Sequence, residues 1–229
     1  MKNNIGIIVQ ARTGSKRFPG KVLKKLTDRY NVIEFLIKRL KLCKNIKKII
    51  IATTSLKQDN KILKIKSSNV LFFRGSENNV LKRYINAAEK FDLQHIVRIT
   101  ADCPFSDPYL IDKITKLYFR LNLNYISNVS PPSFPNGFDV EIFDLELAKK
   151  SLIKFKSKKN KEHVTYAMRN MKMSKILNVK SYNLSIKKDL NQNRLTLDNS
   201  YDYKIIRRVV KKITIRDSWK KIYLRYKNL

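Results

Sequence analysis

Ile5-Gly6-Ile7-Ile8-Val9-Gln10-Ala11-Arg12-Thr13-Gly14-Ser15-Lys16-Arg17-Phe18-Pro19-Gly20-Lys21 is the stretch on which the reading of this chain turns. Its first five residues form an apolar run too short for an independent helix and suited to a strand buried on both faces. A loop follows, with four cations (Arg12, Lys16, Arg17 and Lys21) set among Gly14, Ser15, Pro19 and Gly20, which let a backbone bend closely round a ligand. Backbone N–H groups in such a loop make an anion-binding concavity, arginine forks grip phosphate oxygens in pairs, and lysine acts as a point charge. The pattern predicts a polyphosphate cradle at the end of a first buried strand. In a chain with 50 Lys and Arg the plain rival is an ordinary loop with solvated lysines, and it is the order of the residues that favours the cradle.

Two familiar phosphate motifs are excluded. Gly14 and Gly20 have five residues between them and Lys21 is followed by Val22, so there is no G-x-x-x-x-G-K-[ST]. No G-x-G-x-x-G occurs in this loop either. Beyond it the chain alternates apolar runs with helical periodicity. Residues 31–43 read as an amphipathic helix, 49–52 as a second buried strand, 70–73 as a third, 80–91 as a helix, 96–99 as a fourth strand and 108–121 as a helix. Short strands are expected at 125–127, 138–143, 176–179 and 194–197, and helices at 145–155, around 205–213 and around 219–223. The sum is an α/β chain, with a mostly parallel central sheet flanked by helices.

At 229 residues one sizeable domain is expected, with a core over about 5–213 and a helical extension over about 214–229. The formal charge of +32 raises a nucleic-acid-binding protein as an alternative. The lysines are spread over nearly every element and no nucleic-acid signature appears, so no specific nucleic acid is expected. A positive field of this kind draws in nucleoside triphosphates and anionic sugars. Cys43 and Cys103 form no paired spacing, which points to neither a disulfide framework nor a metal cluster. The apolar run after residues 1–4 is too short for a leader or a membrane span, so a cytoplasmic protein without membrane insertion is expected.

Several residues sit where the sheet would meet a ligand. Thr53 lies at the exit of the second strand, and Asp102 at the tip of the fourth, with Asp107 and Pro108 free to cap the next helix. An aspartate so placed can hold Mg²⁺, which takes carboxylates together with substrate phosphates. Arg74-Gly75-Ser76 reads as a turn, with Gly75 admitting positive φ and Ser76 as an N-cap. If 138–143 is a strand, Asp139 and Glu141 share one face, a pattern that usually means solvent. The charge run 154–161 reads as a solvated loop, and His95 as structural.

Taken in order, the loop 10–21, Phe73-Arg74-Gly75-Ser76-Glu77-Asn78-Asn79-Val80-Leu81, Arg98-Ile99-Thr100-Ala101-Asp102-Cys103-Pro104, Asn136-Gly137-Phe138-Asp139-Val140-Glu141, Glu162-His163-Val164-Thr165 and Arg194-Leu195-Thr196-Leu197-Asp198 resemble the sugar-acid cytidylyltransferases. These are the acylneuraminate and 3-deoxy-manno-octulosonate enzymes, and the likeness is greatest to the branch called spore coat polysaccharide biosynthesis protein F. The resemblance covers roughly residues 5–210. It implies a Rossmann-like nucleotidyltransferase (GT-A-like) fold and transfer of CMP from CTP to a sugar acid. It implies that Arg12, Lys21 and Asp102 serve catalysis, and that Gln10, Ala11, Arg12, Gly14, Ser15, Arg17, Lys21, Thr53, Arg74, Gly75 and Ser76 bind the nucleotide. Asp139, Glu141 and His163 would meet the sugar, Asp102 and Asp198 would hold Mg²⁺, and a homodimer is common in the family. His163 keeps the alternative of a satisfied structural histidine. After Asp198 this chain has Asn199-Ser200-Tyr201-Asp202 where the family has Thr-Pro-Glu-Asp. A glycosyltransferase on the same kind of sheet is a second alternative, for which Asp139-Val140-Glu141 is the nearest approach to an Asp-x-Asp motif.

Overall fold

The computed structural model of the chain describes residues 4–65 and 67–229. Residues 1–3, part of the reading of the N-terminus, lie outside the described residues. The strands are β1 (Ile5–Gln10), β2 (Lys48–Thr54), β3 (Val70–Gly75), β4 (His95–Thr100), β5 (Tyr125–Ser127), β6 (Glu141–Asp144) and β7 (Ser181–Asn183). They form one sheet in the order β3-β2-β1-β4-β6-β5-β7. The first four are parallel, β6 runs antiparallel to β4 and β5, and β7 is parallel to β5.

The apolar runs explain this sheet. Successive strand side chains point to opposite faces. Ile5, Ile7 and Val9 join one apolar cluster with Ile49, Ile51, Val97 and Ile99, while Ile8 joins a second with Ile50, Ala52 and Ile96. A run apolar at every position is what a sheet covered on both faces requires. From β1 the chain moves outward through β2 to β3, then returns to place β4 on the other side of β1. That reversal opens a crevice at the carboxyl ends of β1 and β4, the place where open α/β sheets take ligands.

Local chemistry sets the helices. Asn31 and Glu34 make a reciprocal capping box on the helix Val32–Leu40, Asn79 caps Val80–Lys90, and Asp107 caps Pro108–Arg120 with proline in its first turn. The terminal helix Trp219–Lys227 packs on the core, with Ile222 buried and the Trp219 ring against Phe134 and Phe138. Arg39, wholly buried, donates to the carbonyls of Phe105, Ser106, Ile215 and Asp217 and so ties this C-terminal segment to the body of the fold. The His95 ring nitrogen Nδ1 pairs with the Tyr118 hydroxyl at 3.0 Å, a structural role as expected. Cys43 and Cys103 are free and buried.

Several expectations are corrected. Residues 176–179 close the helix Met171–Ile176, with Asn178 left-handed at φ 53° and the Val179 N–H donating to Ser174, and the strand comes later at β7. Residues 194–197 are extended but pair at a single bridge, Asn136 with Arg194, so an apolar alternation there lacks a partner strand. The charge run 154–161 is not all loop: Ser157 caps a short helix, Lys158–Glu162, held by buried Asn160, whose amide donates to the carbonyls of Ser151 and Phe155. β6 begins at Glu141, so Asp139 lies outside it. Gly75 continues β3 and is absent from the positive-φ glycines among the described residues, and the helix cap is Asn79, not Ser76. Ile213 falls beyond the helix Ser200–Val210, whose buried residues include Ile206, Val209 and Val210.

Candidate functional site

The crevice holds a cavity of about 1030 Å³. Its walls come from four places: the loop after β1, the exit of β4, the start of the helix Val80–Lys90, and the short helix Lys158–Glu162 with His163. Asp198 closes one side. Eight cations line it (Arg12, Lys16, Arg17, Lys21, Arg83, Arg98, Lys158 and Lys161) against the carboxylates of Glu77, Asp102, Glu162 and Asp198, so the space is built for a polyanion.

The loop is shaped from within. The Thr13 carbonyl accepts from the N–H groups of Ser15 and Gly20, each at 2.9 Å. Gly20 turns the chain at φ 67°, a left-handed conformation that favours glycine. Behind the loop stands Asp59, buried, whose Oδ1 accepts from both the Thr13 N–H and the Thr13 hydroxyl at 2.6 Å and whose Oδ2 accepts from the Thr54 hydroxyl. The loop is thus tied to the exit of β2.

Lys21 turns inward rather than into solvent. Its Nζ lies 2.9 Å from Asp102 Oδ2, 3.1 Å from Asp198 Oδ1 and 2.6 Å from the Leu197 carbonyl. Asp198 also pairs with Arg17 at 3.1 Å and with Arg194. Partial burial alone would raise its carboxyl, but Lys21, Arg17 and Arg194 hold it below the usual aspartate range. The Leu197 N–H bonds the Asp102 carbonyl at 2.8 Å, which holds the two aspartates in register without the strand expected there. Both carboxylates face the same space.

Glu141 is engaged within the protein. It is 2 % exposed and stands opposite Arg98 in the β4–β6 register. Oε2 accepts from Arg98 at 2.6 Å, while Oε1 accepts from the hydroxyls of Tyr125 and Thr165, each at 2.7 Å. Burial would raise its carboxyl, yet Arg98 and Arg169 hold it below the usual range. With both oxygens engaged, Glu141 supports Arg98, and it is Arg98 that reaches the cavity. Asp139, though open to solvent, is enclosed by protein on most sides, and that enclosure together with Glu141 pushes its carboxyl up to about 6.

Of the residues singled out from the sequence, Gln10, Ala11, Arg12, Gly14, Ser15, Arg17, Lys21, Asp102, His163 and Asp198 line the cavity together. Thr53, Arg74, Gly75, Ser76, Asp139 and Glu141 do not line it. Thr53 is buried. Arg74 folds back onto the carbonyls of Thr54 and Ser55, and the Ser76 hydroxyl accepts from the Asn79 N–H. Asp59, Arg83, Arg98 and the Lys158–Glu162 helix join the site without having been expected there from the sequence. The signal for Arg98 was a cation inside an otherwise apolar strand run, and for Arg83 a cation beside the inward positions Tyr84 and Leu81.

The cytidylyltransferase family model matches residues 6–215. An uncharacterized protein of Methanocaldococcus jannaschii is 38% identical over 200 residues, covering 86% of this chain and 79% of that protein. The spore coat polysaccharide biosynthesis protein SpsF of Bacillus subtilis is 31% identical over 217 residues, covering 92% and 88%. Among solved structures, a cytidylyltransferase from Leptospira borgpetersenii superposes with a TM-score of 0.91 at 28% identity, covering 98% of this chain and 94% of that one.

Proposed function

The chain belongs to the cytidylyltransferase family, and on that premise we propose that it transfers CMP from CTP to a sugar acid, releasing pyrophosphate, in the making of a surface polysaccharide or glycan. The observation that carries the reading is the meeting of Lys21, Asp102 and Asp198 at the mouth of a phosphate-shaped loop. That the Bacillus subtilis relative is a spore coat polysaccharide biosynthesis protein supports the glycan setting.

In the reaction an acceptor hydroxyl oxygen bonds to the α-phosphorus of CTP, the bond from that phosphorus to the bridging oxygen breaks, and the hydroxyl proton passes to water. Such transfers depend on positioning and on stabilising charge. Arg12, Arg17 and Lys21 take the triphosphate and the charge that develops on pyrophosphate, at about 2.7–4 kcal/mol for each well-placed donor. The loop amide of Gly14, which the turn at Thr13 does not use, adds a neutral donor. Arg98, Lys158 and Lys161 supply cations beyond those of the loop, with His163 beside them, which suits an acceptor that is itself an anion.

The donor set fits a hard divalent cation. Asp102 Oδ2 and Asp198 Oδ1 both lie within hydrogen-bond reach of one ammonium, and no group of three acidic, His or Cys side chains assembles among the described residues. Two carboxylates with the remaining positions left to phosphate oxygens and water is the manner in which Mg²⁺ is held in nucleotide sites. When bound it neutralises phosphate charge and acidifies the nucleophile. The test is Mg²⁺-dependent pyrophosphate release, with CTP, UTP, ATP and GTP each offered to a panel of eight-carbon and nine-carbon sugar acids. Release with CTP and one acid, lost in Asp102→Asn, is the expected result, and silence across the panel overturns the reading.

A further inference from the structure

Among the described residues two arginines are buried, Arg39 and Arg83, and Arg98 is half-buried; the three are satisfied in different ways. Arg39 spends its donors on four backbone carbonyls. Arg98 has the Glu141 carboxylate at 2.6 Å. Arg83 has neither. It is 3 % exposed, its one side-chain hydrogen bond among the described residues runs from Nη1 to the Ser76 carbonyl at 2.6 Å, and no carboxylate lies within 4 Å of it among those residues. Its buried Nε has no partner, as is also true of Arg98 Nε.

A guanidinium offers five N–H donors, and a buried cation without a counter-charge is costly. Arg83 bears that cost on the wall of the cavity, one turn into the helix Val80–Lys90, whose N-terminal end fronts the same space through Asn78 and Val80. The partial positive charge of that helix end works in the same direction. Burial and then the charge of Arg12 weaken its hold on its proton, while Tyr84, Asp59 and Glu77 act the other way. Arg12 and Arg83 line the same cavity, and an anion held there offsets the charge of both.

We propose that Arg83 is an oxyanion-binding residue of the cavity, gripping a phosphate of the nucleotide together with Arg12. This rests on the reading of the cavity as a nucleotide site. A planar fork matches two phosphate oxygens at once, a geometry that lysine cannot copy.

The test uses the intact chain and its Arg83→Met and Arg83→Lys variants, with thermal unfolding in the absence of ligand and calorimetric titration of pyrophosphate and of CTP. An arginine kept for structure lowers the unliganded Tm when removed. An arginine kept for the ligand leaves Tm unchanged or raised in Arg83→Met, since an unpaired buried charge has gone. The expected binding loss is about tenfold to a hundredfold for pyrophosphate and CTP, with Arg83→Lys between that variant and the parent. If Arg83→Met does not fold, Arg83→Lys carries the test through a several-fold loss. Variants that bind both ligands as the parent does overturn the proposal and leave the cytidylyltransferase reading standing. A parent that binds neither overturns both.

Discussion

Glu141→Gln removes the charge that holds Arg98 while keeping the shape of the side chain. In the parent, Oε2 meets Arg98 at 2.6 Å and Oε1 takes the hydroxyls of Tyr125 and Thr165. In the variant a glutamine oxygen can still serve the two hydroxyls, which turns its amide N–H groups toward a buried guanidinium. Breaking a buried ion pair from one side costs about 3–5 kcal/mol because the other charge stays in place. For a chain of 229 residues, at about 2–4 °C per kcal/mol, that lowers Tm by roughly 6–20 °C. The double variant Glu141→Gln/Arg98→Met should unfold at a higher temperature than the single one, since the stranded charge is gone. The pH dependence has a definite sign. Glu141 is held below its ordinary value near 4.5, so its contribution is complete above that pH and is lost as pH falls through the depressed value. The Tm gap between parent and Glu141→Gln therefore holds from pH 7 down to about 4.5 and narrows below it. Scanning calorimetry across that range reads both effects. A gap under about 2 °C at pH 7, or one that widens in acid, refutes the reasoning.

Asp59→Ala frees Thr13 and with it the loop, so KM for CTP should rise by about tenfold or more, in keeping with the sensitivity of such transfers to misplacement by an ångström. Asp59→Asn, which keeps an acceptor oxygen, should fall between that variant and the parent, and steady-state kinetics at saturating acceptor tell them apart; equal KM values remove Asp59 from any positioning role. Arg39→Met breaks four bonds to carbonyls at once, two of them in the segment that leads to the last helix. It should cost several kcal/mol and make the chain cleavable near 214–218 by a protease that leaves the parent intact, whereas an uncleaved variant with an unchanged Tm contradicts the tie.

Most of the sheet was legible because burial on both faces writes itself as uninterrupted apolar runs, as in Ile49-Ile50-Ile51 and Ile96-Val97. The helices announced themselves through apolar periodicity, as over residues 31–43, and through Asp107 with Pro108. What failed were short segments whose form is decided by distant partners. Residues 194–197 look like a strand but have only Asn136 to pair with, and 176–179 lose to the helix end at Asn178. The loop and its aspartates could be read from residue order. Lys21 drawing Asp102 and Asp198 together could not, because 81 and 177 residues separate the partners. Glu141 is hard to read for a related reason: a carboxylate on a strand looks solvent-facing or ligand-facing until the register sets it against Arg98.

Transfer of CMP alone to a sugar-acid hydroxyl is read by ³¹P NMR of the product formed from CTP, the acid that supports turnover, and Mg²⁺. Free pyrophosphate and one phosphodiester resonance are expected, with a product mass equal to the acid plus CMP less water. A product with two coupled phosphorus resonances, which would mean a sugar phosphate as acceptor, contradicts it, as does CTP left unchanged.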